Sequence, residues 1–198
     1  LFSLEELVTV FDADGIQKAG AVFDIKKFTW FNKEYLDRLS VEEFSEYIRT
    51  DLPSRLTDLP QWNEERFTKL IPTIRERATT RAEFHEQIEA GEYDYAFAAP
   101  EYETELLKWK NDPDIATAAP RLQKALELLA DADFTSPERI KGAVWDYAEA
   151  EGRGEVLWPT RVALSGKKQS PDPFTIAYIL GKQETLDRLK SACGKIGV

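Results

Sequence analysis

The sequence predicts an all-α fold. A Ser or Thr stands three residues before a Glu, the spacing of a helix capping box, at Ser3, Ser40 and Thr80. Between such starts, apolar residues recur at i, i+3, i+4 and i+7, as on one face of a helix. Only residues 20–23 have strand character, and this run is too short to build a sheet. We therefore predict about ten short helices.

In the first half of the chain, the predicted helices begin at these caps and are interrupted twice. Residues 51–61 contain two prolines and few periodic apolar residues, which favours a connecting loop. A helical pattern follows from residue 63 to 77, and Pro72 inside it predicts a kink or a junction between two helices. Residues 91–100 combine a glycine, an aromatic run and a proline, so we predict a packed joint between two helical lobes.

The second half contains further helix starts. Thr135 stands two residues before a proline and three before a glutamate, which predicts a cap with proline in the first turn. Asp172-Pro173 predicts another start, and Gly181 is the expected C-cap of that helix. The last predicted helix carries Cys193 on its apolar face.

Composition excludes several classes of protein. With 42% hydrophobic and 12% aromatic residues, the 198-residue chain can bury a sizeable core. Its formal net charge of −10 argues against a surface coated with basic charge for non-specific nucleic-acid binding. A single cysteine, Cys193, and a single histidine, His85, exclude an internal disulfide and a Cys/His zinc site. No apolar run approaches the roughly 20 residues of a membrane span, so we expect a soluble, cytoplasmic protein.

Charge is unevenly distributed along the chain. Residues 159–198 contain seven Lys or Arg and three Asp or Glu, a net charge of +4, which leaves −14 for residues 1–158. A second basic cluster, Arg75, Arg77 and Arg81, lies in the middle of the sequence. An acidic protein with two basic patches suits one anionic partner held at defined places. Solvated helix faces explain the same charges, so charge alone leaves both interpretations open.

Three blocks of sequence resemble bacterial-type glutamyl-tRNA synthetases. The end of that family reads approximately LR-A-L-TG, then SPGLFE, then LLGKE--L-RL, and this chain has LWPTRVALSG at 157–166, SPDPF at 170–174 and ILGKQETLDRL at 179–189. The start resembles the segment after the family's catalytic half, in residues 2–12, 18–24 and 30–36, and residues 75–80 match more loosely. The blocks follow the family's order over essentially the whole chain.

The resemblance implies a multi-helix anticodon-binding domain of the class I glutamyl-tRNA synthetase type, with two helical lobes. Residues 1–60 would end the stem-contacting region, residues 61–98 would form the first anticodon-binding lobe, and residues 99–198 the second. The implied partner is the anticodon arm of tRNA(Glu), with anticodon C/U-U-C, bound by a monomer.

The catalytic motifs of that family are missing from this sequence. His85 is the only histidine, so a His-x-Gly-His motif cannot be present, and no Lys-x-Ser-Lys occurs. We therefore expect no catalytic residue, metal ligand or cofactor here, whereas the resemblance implies a longer parent that ligates glutamate to tRNA with ATP and Mg²⁺. The chain has no methionine and begins with Leu1, which also leads us to expect a segment of a longer protein.

The resemblance assigns contacts with anticodon bases to Arg161 and to the turn of Ser170, Pro171 and Pro173, and contact with the first base to Arg77. An unpaired base offers a hydrogen-bonding edge and a π face, and a guanidinium can bond to one and stack on the other. Asp172 and Pro173 stand where the family often has glycine and leucine, and a carboxylate near RNA lowers affinity unless it accepts a base donor. Five further basic side chains are candidate phosphate contacts: Arg75, Arg81, Lys167, Lys168 and Lys182.

Each candidate has a structural alternative. Arg161 would form a surface salt bridge, and Arg75 and Arg77 would only form a charged helix end. Residues 170–173 would only start a helix, and the lysines would be solvated. His85 is expected on a helix surface. Three tryptophans are expected in the core rather than as base-stacking platforms: Trp30, Trp145 and Trp158. For the whole chain the alternative is a helical protein–protein interaction module, while a catalytic enzyme is weakly supported because no acid/base pair or activated nucleophile is evident.

Overall fold

The computed structural model describes residues 1–15, 20 and 22–197. Within these residues the regular structure is helical and no strand occurs, which confirms the predicted all-α class. The α-helices are α1 (Leu4–Val10), α2 (Ile25–Arg38), α3 (Val41–Arg49), α4 (Ser54–Thr57), α5 (Glu64–Arg77), α6 (Arg81–Glu89), α7 (Ala118–Ala130), α8 (Pro137–Glu151), α9 (Arg153–Ser165), α10 (Pro173–Leu180) and α11 (Lys182–Ile196).

Residues 20–23, the run with strand character, form no strand at the positions that the structure describes. Gly20, Val22 and Phe23 precede α2 without regular structure. Ala21 lies outside the described residues, as do Lys18 and Ala19 of the block that resembles the synthetases.

Side-chain caps set most of the helix starts. Ser3 and Ser40 each form a complete capping box, in which the hydroxyl accepts from the third residue of the helix and that residue's carboxylate accepts from the cap. Asp172 caps α10, since its carboxylate accepts from two backbone N–H groups at 2.9 and 3.0 Å. The prediction of a cap at Thr135 was wrong by one residue: Ser136 caps α8, because its hydroxyl faces the N–H of the third helical residue.

The α5 helix continues through Pro72 to Arg77, so the predicted junction between two helices is absent. The helix begins at Asn63, whose side-chain oxygen accepts from the Arg66 N–H at 2.9 Å. Residues 75–77 therefore stand at the C-terminal end of one unbroken helix, close to the start of α6.

A single hydrophobic cluster extends from Leu36 to Cys193 and joins α5 to the five C-terminal helices. Tyr93, Tyr95 and Phe97 are buried in it, so residues 91–100 are packed as predicted and do not form a loose linker. The burial of Cys193 on α11 is also confirmed. The division of the chain at residues 60 and 98 into separate units stays a prediction.

The N-terminal helices contribute little to this core. No residue of α1 is buried, and Leu36 is the buried residue of α2. Trp30 is 52% exposed, so its predicted place in the core was wrong: it lies on the part of α2 that extends beyond the packed helices. Trp145 and Trp158 are half-buried and pack against the core. Among the helices that can be traced, none is both long and apolar enough to cross a membrane.

Candidate nucleic-acid interface

A polar cleft of about 580 Å³ lies beside the C-terminal end of α5. Its walls come from Arg77, from α6 and the residues after it, and from the loop that follows α9: Glu83, Glu86, Gln87, Ala90, Glu92 and Gln169. Arg77 also lies near the buried hydroxyls of Tyr93 and Tyr95, where burial raises the pKa of both tyrosines and the guanidinium charge partly opposes it. The cleft thus joins one predicted base contact, Arg77, to the loop that leads to two others, Ser170 and Pro171.

Arg75, two residues earlier, has a different environment. Its Nη2 lies 2.8 Å from the carbonyl oxygen of Asp37, 2.7 Å from that of Leu39 and 3.3 Å from that of Leu36. Its guanidinium also lies over the ring of Phe44, 5.4 Å from the centroid. A positive charge that donates to the free carbonyls at a helix end is a stabilising C-cap. The structure therefore gives Arg75 a role in holding α2 against α5, and its phosphate contact stays a prediction.

Arg81 begins α6 next to the cap Thr80, and its guanidinium lies over the ring of Tyr47, 5.2 Å from the centroid. Its side chain is half-buried, and this aromatic contact connects α6 with α3. His85, on the same helix, is half-buried and its Nε2 is buried without a hydrogen-bond partner, so the expectation of a surface histidine was wrong.

Arg161 lies on α9 and closes the loop that follows it. Its guanidinium is 4.9 Å from the ring centroid of Trp158, and its Nη2 donates to the Lys168 carbonyl at 3.0 Å. Its Nε is buried without a partner, and burial lowers the pKa of the guanidinium. These contacts are with a ring and a backbone carbonyl, so they do not form the carboxylate salt bridge considered as the alternative.

The loop from Gly166 to Gln169 is held closely against residues 91–101. Gly166 ends α9 with a φ of +69°, and a Cβ there would lie 3.0 Å from Pro100 and 3.1 Å from the Glu101 carbonyl oxygen. Lys167 donates to the Gly91 carbonyl at 2.6 Å, so this predicted phosphate contact is engaged within the protein. Lys168 is exposed beside the cleft, and Lys182 is exposed at the first position of α11.

The Ser170–Pro173 turn presents only part of its predicted surface. Ser170 and Pro171 are half-buried, whereas Pro173 is buried. The Asp172 carboxylate accepts from the N–H groups of Phe174 and Thr175, so its charge is compensated by the start of α10. A second cleft, of about 310 Å³, lies beside this turn and is lined by residues of α8, α9 and α10, including Trp145.

Arg188 is a buried side chain whose internal contacts could not be foreseen from its place in the sequence. It counts among the basic residues of the C-terminal segment, yet it is only 5% exposed. Its five N–H groups face five acceptors: the carbonyl oxygens of Tyr95, Leu164 and Ala98 at 2.7, 2.6 and 2.9 Å, Glu184 at 2.7 Å and Gln61 at 3.4 Å. Burial lowers the pKa of this guanidinium, and the Glu184 carboxylate opposes that effect. Arg188 is therefore an internal contact and adds nothing to the surface charge.

The structure thus brings Arg77 and the loop after α9 to one cleft, with Arg161 holding the loop. Arg75 instead lines a separate cleft between α2 and α5, and Pro173 lines the cleft beside the Ser170–Pro173 turn. Within the traced part of the chain, no group of acidic, histidine or cysteine side chains is arranged to hold a metal ion.

Comparison with known proteins shows to which family the chain belongs. The anticodon binding domain family matches residues 34–193. The glutamate–tRNA ligase of Clostridium tetani is 35% identical over 200 residues, which cover 99% of this chain and 39% of that protein. The glutamate–tRNA ligase of Flavobacterium johnsoniae is 35% identical over 198 residues, which cover 97% of this chain and 36% of that protein. The chain therefore spans somewhat more than a third of the length of these relatives.

Two solved structures have the same fold. The glutamate tRNA ligase from Elizabethkingia meningosepticum, solved in complex with its amino acid, superposes with a TM-score of 0.72 at 30% identity and covers 98% of this chain and 37% of that one. The glutamate–tRNA synthetase from Elizabethkingia anophelis superposes with a TM-score of 0.71 at 29% identity and covers 98% of this chain and 36% of that one. The chain belongs to the anticodon binding domain family, in the form found in glutamate–tRNA ligases.

Proposed function

We propose that this chain binds the anticodon arm of tRNA(Glu) as the RNA-binding part of a glutamate–tRNA ligase. The observation that supports this most directly is the shared cleft, in which Arg77 faces Gln169 of the loop closed by Arg161. Arg77 and the loop to which Arg161 donates, from distant parts of the sequence, therefore lie beside one surface. Bases of a single-stranded loop can be bonded along their edges and stacked on guanidinium planes, which is the usual way proteins recognise RNA sequence.

The same geometry divides the basic residues by role. Arg77, Arg161, Ser170 and Pro171 would contact bases, with Pro173 supporting the turn from inside. Lys168 and Lys182 are exposed and would contact phosphates, which position the RNA without recognising its sequence. The whole enzyme would act in the cytoplasm and ligate glutamate to tRNA with ATP and Mg²⁺, whereas this chain would act as a monomeric binding unit without catalysis.

The proposal is tested by fluorescence titration of the chain with tRNA(Glu) and with the same tRNA altered at the middle anticodon base, at low and moderate salt. We expect a clear preference for the native anticodon. Arg161→Ala should reduce that preference, while Lys190→Ala, on the exposed face of α11, should leave it unchanged. Equal, salt-sensitive binding of both tRNAs would contradict base recognition, and absence of binding would contradict the proposal itself.

A protein-binding role remains the second candidate because one observation favours it. Apolar side chains of the first 41 residues are exposed, among them Leu4 at 77%, Phe23 at 72% and Phe28 at 58%. Large exposed apolar patches often mark contacts with another protein surface. Such a contact would be insensitive to the anticodon and would persist at salt concentrations that weaken RNA binding.

A further inference from the structure

Arg188 forms a buried network that connects the two sides of the proposed RNA surface. We call it the Arg188 network: the guanidinium, its carbonyl acceptors on Tyr95, Ala98 and Leu164, and the side chains of Gln61 and Glu184. A guanidinium has five N–H groups, so every donor has an acceptor. Hydrogen bonds with a charged donor in a buried site are stronger than neutral ones and hold their partners in a fixed geometry.

Three of the acceptors belong to two segments that each lead to a residue of the cleft lining, Glu92 in one case and Gln169 in the other. Tyr95 and Ala98 lie three and six residues after Glu92, which lines the cleft with Arg77. Leu164 lies one turn after Arg161 on α9 and two residues before Gly166. The same Nη1 atom donates to Tyr95 and to Leu164, at 2.7 and 2.6 Å, so a single nitrogen fixes the separation of the two segments.

We propose that Arg188 is a positioning residue for anticodon recognition: it sets the distance between the Arg77 side of the cleft and the loop held by Arg161. This proposal rests on the proposed function, because it concerns the bases that those two sides would contact together. Arg188 is buried and touches no RNA itself. Its effect falls on discrimination between anticodons, since a base contact requires both sides at the correct spacing, whereas phosphate contacts tolerate small displacements.

The chain offers a matched control in Arg66. This arginine belongs to the same buried region, since it donates to Gln61 at 3.0 Å and to the Ala96 carbonyl at 3.2 Å and lies 3.9 Å from Glu184. It has no contact with α9 or with the loop after it among these bonds. Arg66→Lys and Arg188→Lys therefore make the same chemical change in one region, but only the second removes the bridge to Leu164.

The first measurement is the preference for native over middle-base-altered tRNA(Glu) in the full chain. Lysine keeps the charge but cannot replace the planar fork of donors. We expect Arg188→Lys to reduce the preference by about fivefold or more, the value of one bidentate base contact, with the salt dependence of binding unchanged. Arg66→Lys should leave the preference unchanged, even if urea unfolding shows a similar loss of stability. A parallel loss in both variants would show a merely structural role and overturn the proposal.

The second measurement needs no RNA. Spin labels on cysteines introduced at the exposed positions Glu76 and Lys168, with Cys193→Ala, report the distance between the two sides of the cleft. We expect a narrow distance distribution in the otherwise unsubstituted chain and a broader one with Arg188→Lys. A broad distribution with Arg188 in place would overturn the proposal, whether or not the lysine variant folds.

The two measurements separate this proposal from the proposed function. If the chain binds no tRNA while the distance distribution is narrow, the proposed function fails and the claim about recognition falls with it. If tRNA is bound with a clear preference that Arg188→Lys does not change, the proposed function stands and only the role of Arg188 is wrong.

Discussion

Replacing Arg75 with methionine would separate its role from that of Arg77 on the same helix. Methionine preserves the length and helix propensity of the side chain but removes the guanidinium. The Arg75 guanidinium caps α2, whereas the Arg77 guanidinium faces the open cleft. We expect Arg75→Met to lower the free energy of unfolding without changing the anticodon preference. Arg77→Met should reduce the anticodon preference and leave the free energy of unfolding unchanged.

The size of the stability loss follows from the contacts. The Arg75 Nη2 has two N–H groups, so it forms two good bonds, with the carbonyls of Asp37 and Leu39 at 2.8 and 2.7 Å. The side chain is 22% exposed, and each such bond contributes about 1 kcal/mol. The charge at the helix end and its position over Phe44 each add about 0.5 kcal/mol. Because water reaches the freed carbonyls in the variant, we expect a net loss of about 2 kcal/mol.

Urea unfolding monitored by circular dichroism measures this loss, and the thermal midpoint should fall by about 4–8 °C for a domain of this size. Titration with native and altered tRNA(Glu) is performed on the same preparations, with Arg77→Met as the charge-matched control. The reasoning is refuted if Arg75→Met unfolds within about 0.5 kcal/mol of the unsubstituted chain, which is the usual range for surface substitutions. It is equally refuted if this variant loses the anticodon preference to the same degree as Arg77→Met.

Three further predictions concern stability. Gly166→Ala should lower the free energy of unfolding in urea by about 1–3 kcal/mol, because φ is +69° and the new Cβ meets Pro100 and Glu101. The control Gly194→Ala, in open space on α11, should leave the stability unchanged or raise it. Asp112→Ala should cost about 2–3 kcal/mol, because it removes a buried carboxylate and leaves the half-buried Arg121 with Glu151, at 3.7 Å, as its remaining ion-pair partner. Lys124→Ala, which breaks an exposed pair, should cost under about 1 kcal/mol, and equal losses would contradict this difference. Burial raises the pKa of Tyr102 from 10.0 to about 12, so its contribution to stability is complete below pH 10 and is lost as the pH rises towards 12. Tyr102→Phe should flatten the fall of unfolding free energy over that interval by about 1.4 kcal/mol per pH unit, and an unchanged slope would contradict the assignment.

Helix starts were predictable because a cap is a local interaction. Ser3, Ser40 and Asp172 each bond to backbone N–H groups no more than three residues away, so the sequence contains both partners. The same locality explains the error at α8. Thr135 and Ser136 are adjacent hydroxyl residues of similar capping ability, and the choice between them depends on where the chain enters the helix.

The roles of the arginines could not be predicted in this way. Arg75, Arg77, Arg161 and Arg188 have the same side chain, yet their surroundings differ. The acceptors of Arg75 and Arg188 lie far away in the sequence, 36 residues for the Arg75–Leu39 bond and 93 for the Arg188–Tyr95 bond, whereas Arg161 donates to Lys168, seven residues away. Resemblance to a family predicts that Arg77 and Arg161 lie near RNA. It does not show which neighbouring arginine is hydrogen-bonded within the protein instead. The exposure of Trp30 was missed for a related reason, since periodicity shows which face is apolar and not whether another element covers it.

The Arg188 network also has a consequence for the kinetics of folding. Its guanidinium brings together residues as far apart as 127 positions, and closing such long loops is slow compared with forming helices. The network should therefore assemble after the rate-limiting step, so that weakening it accelerates unfolding and leaves the refolding rate nearly unchanged. In that case Arg188 contributes mainly to the lifetime of the folded chain: once formed, the packing around residues 91–100 would open only when the whole domain unfolds.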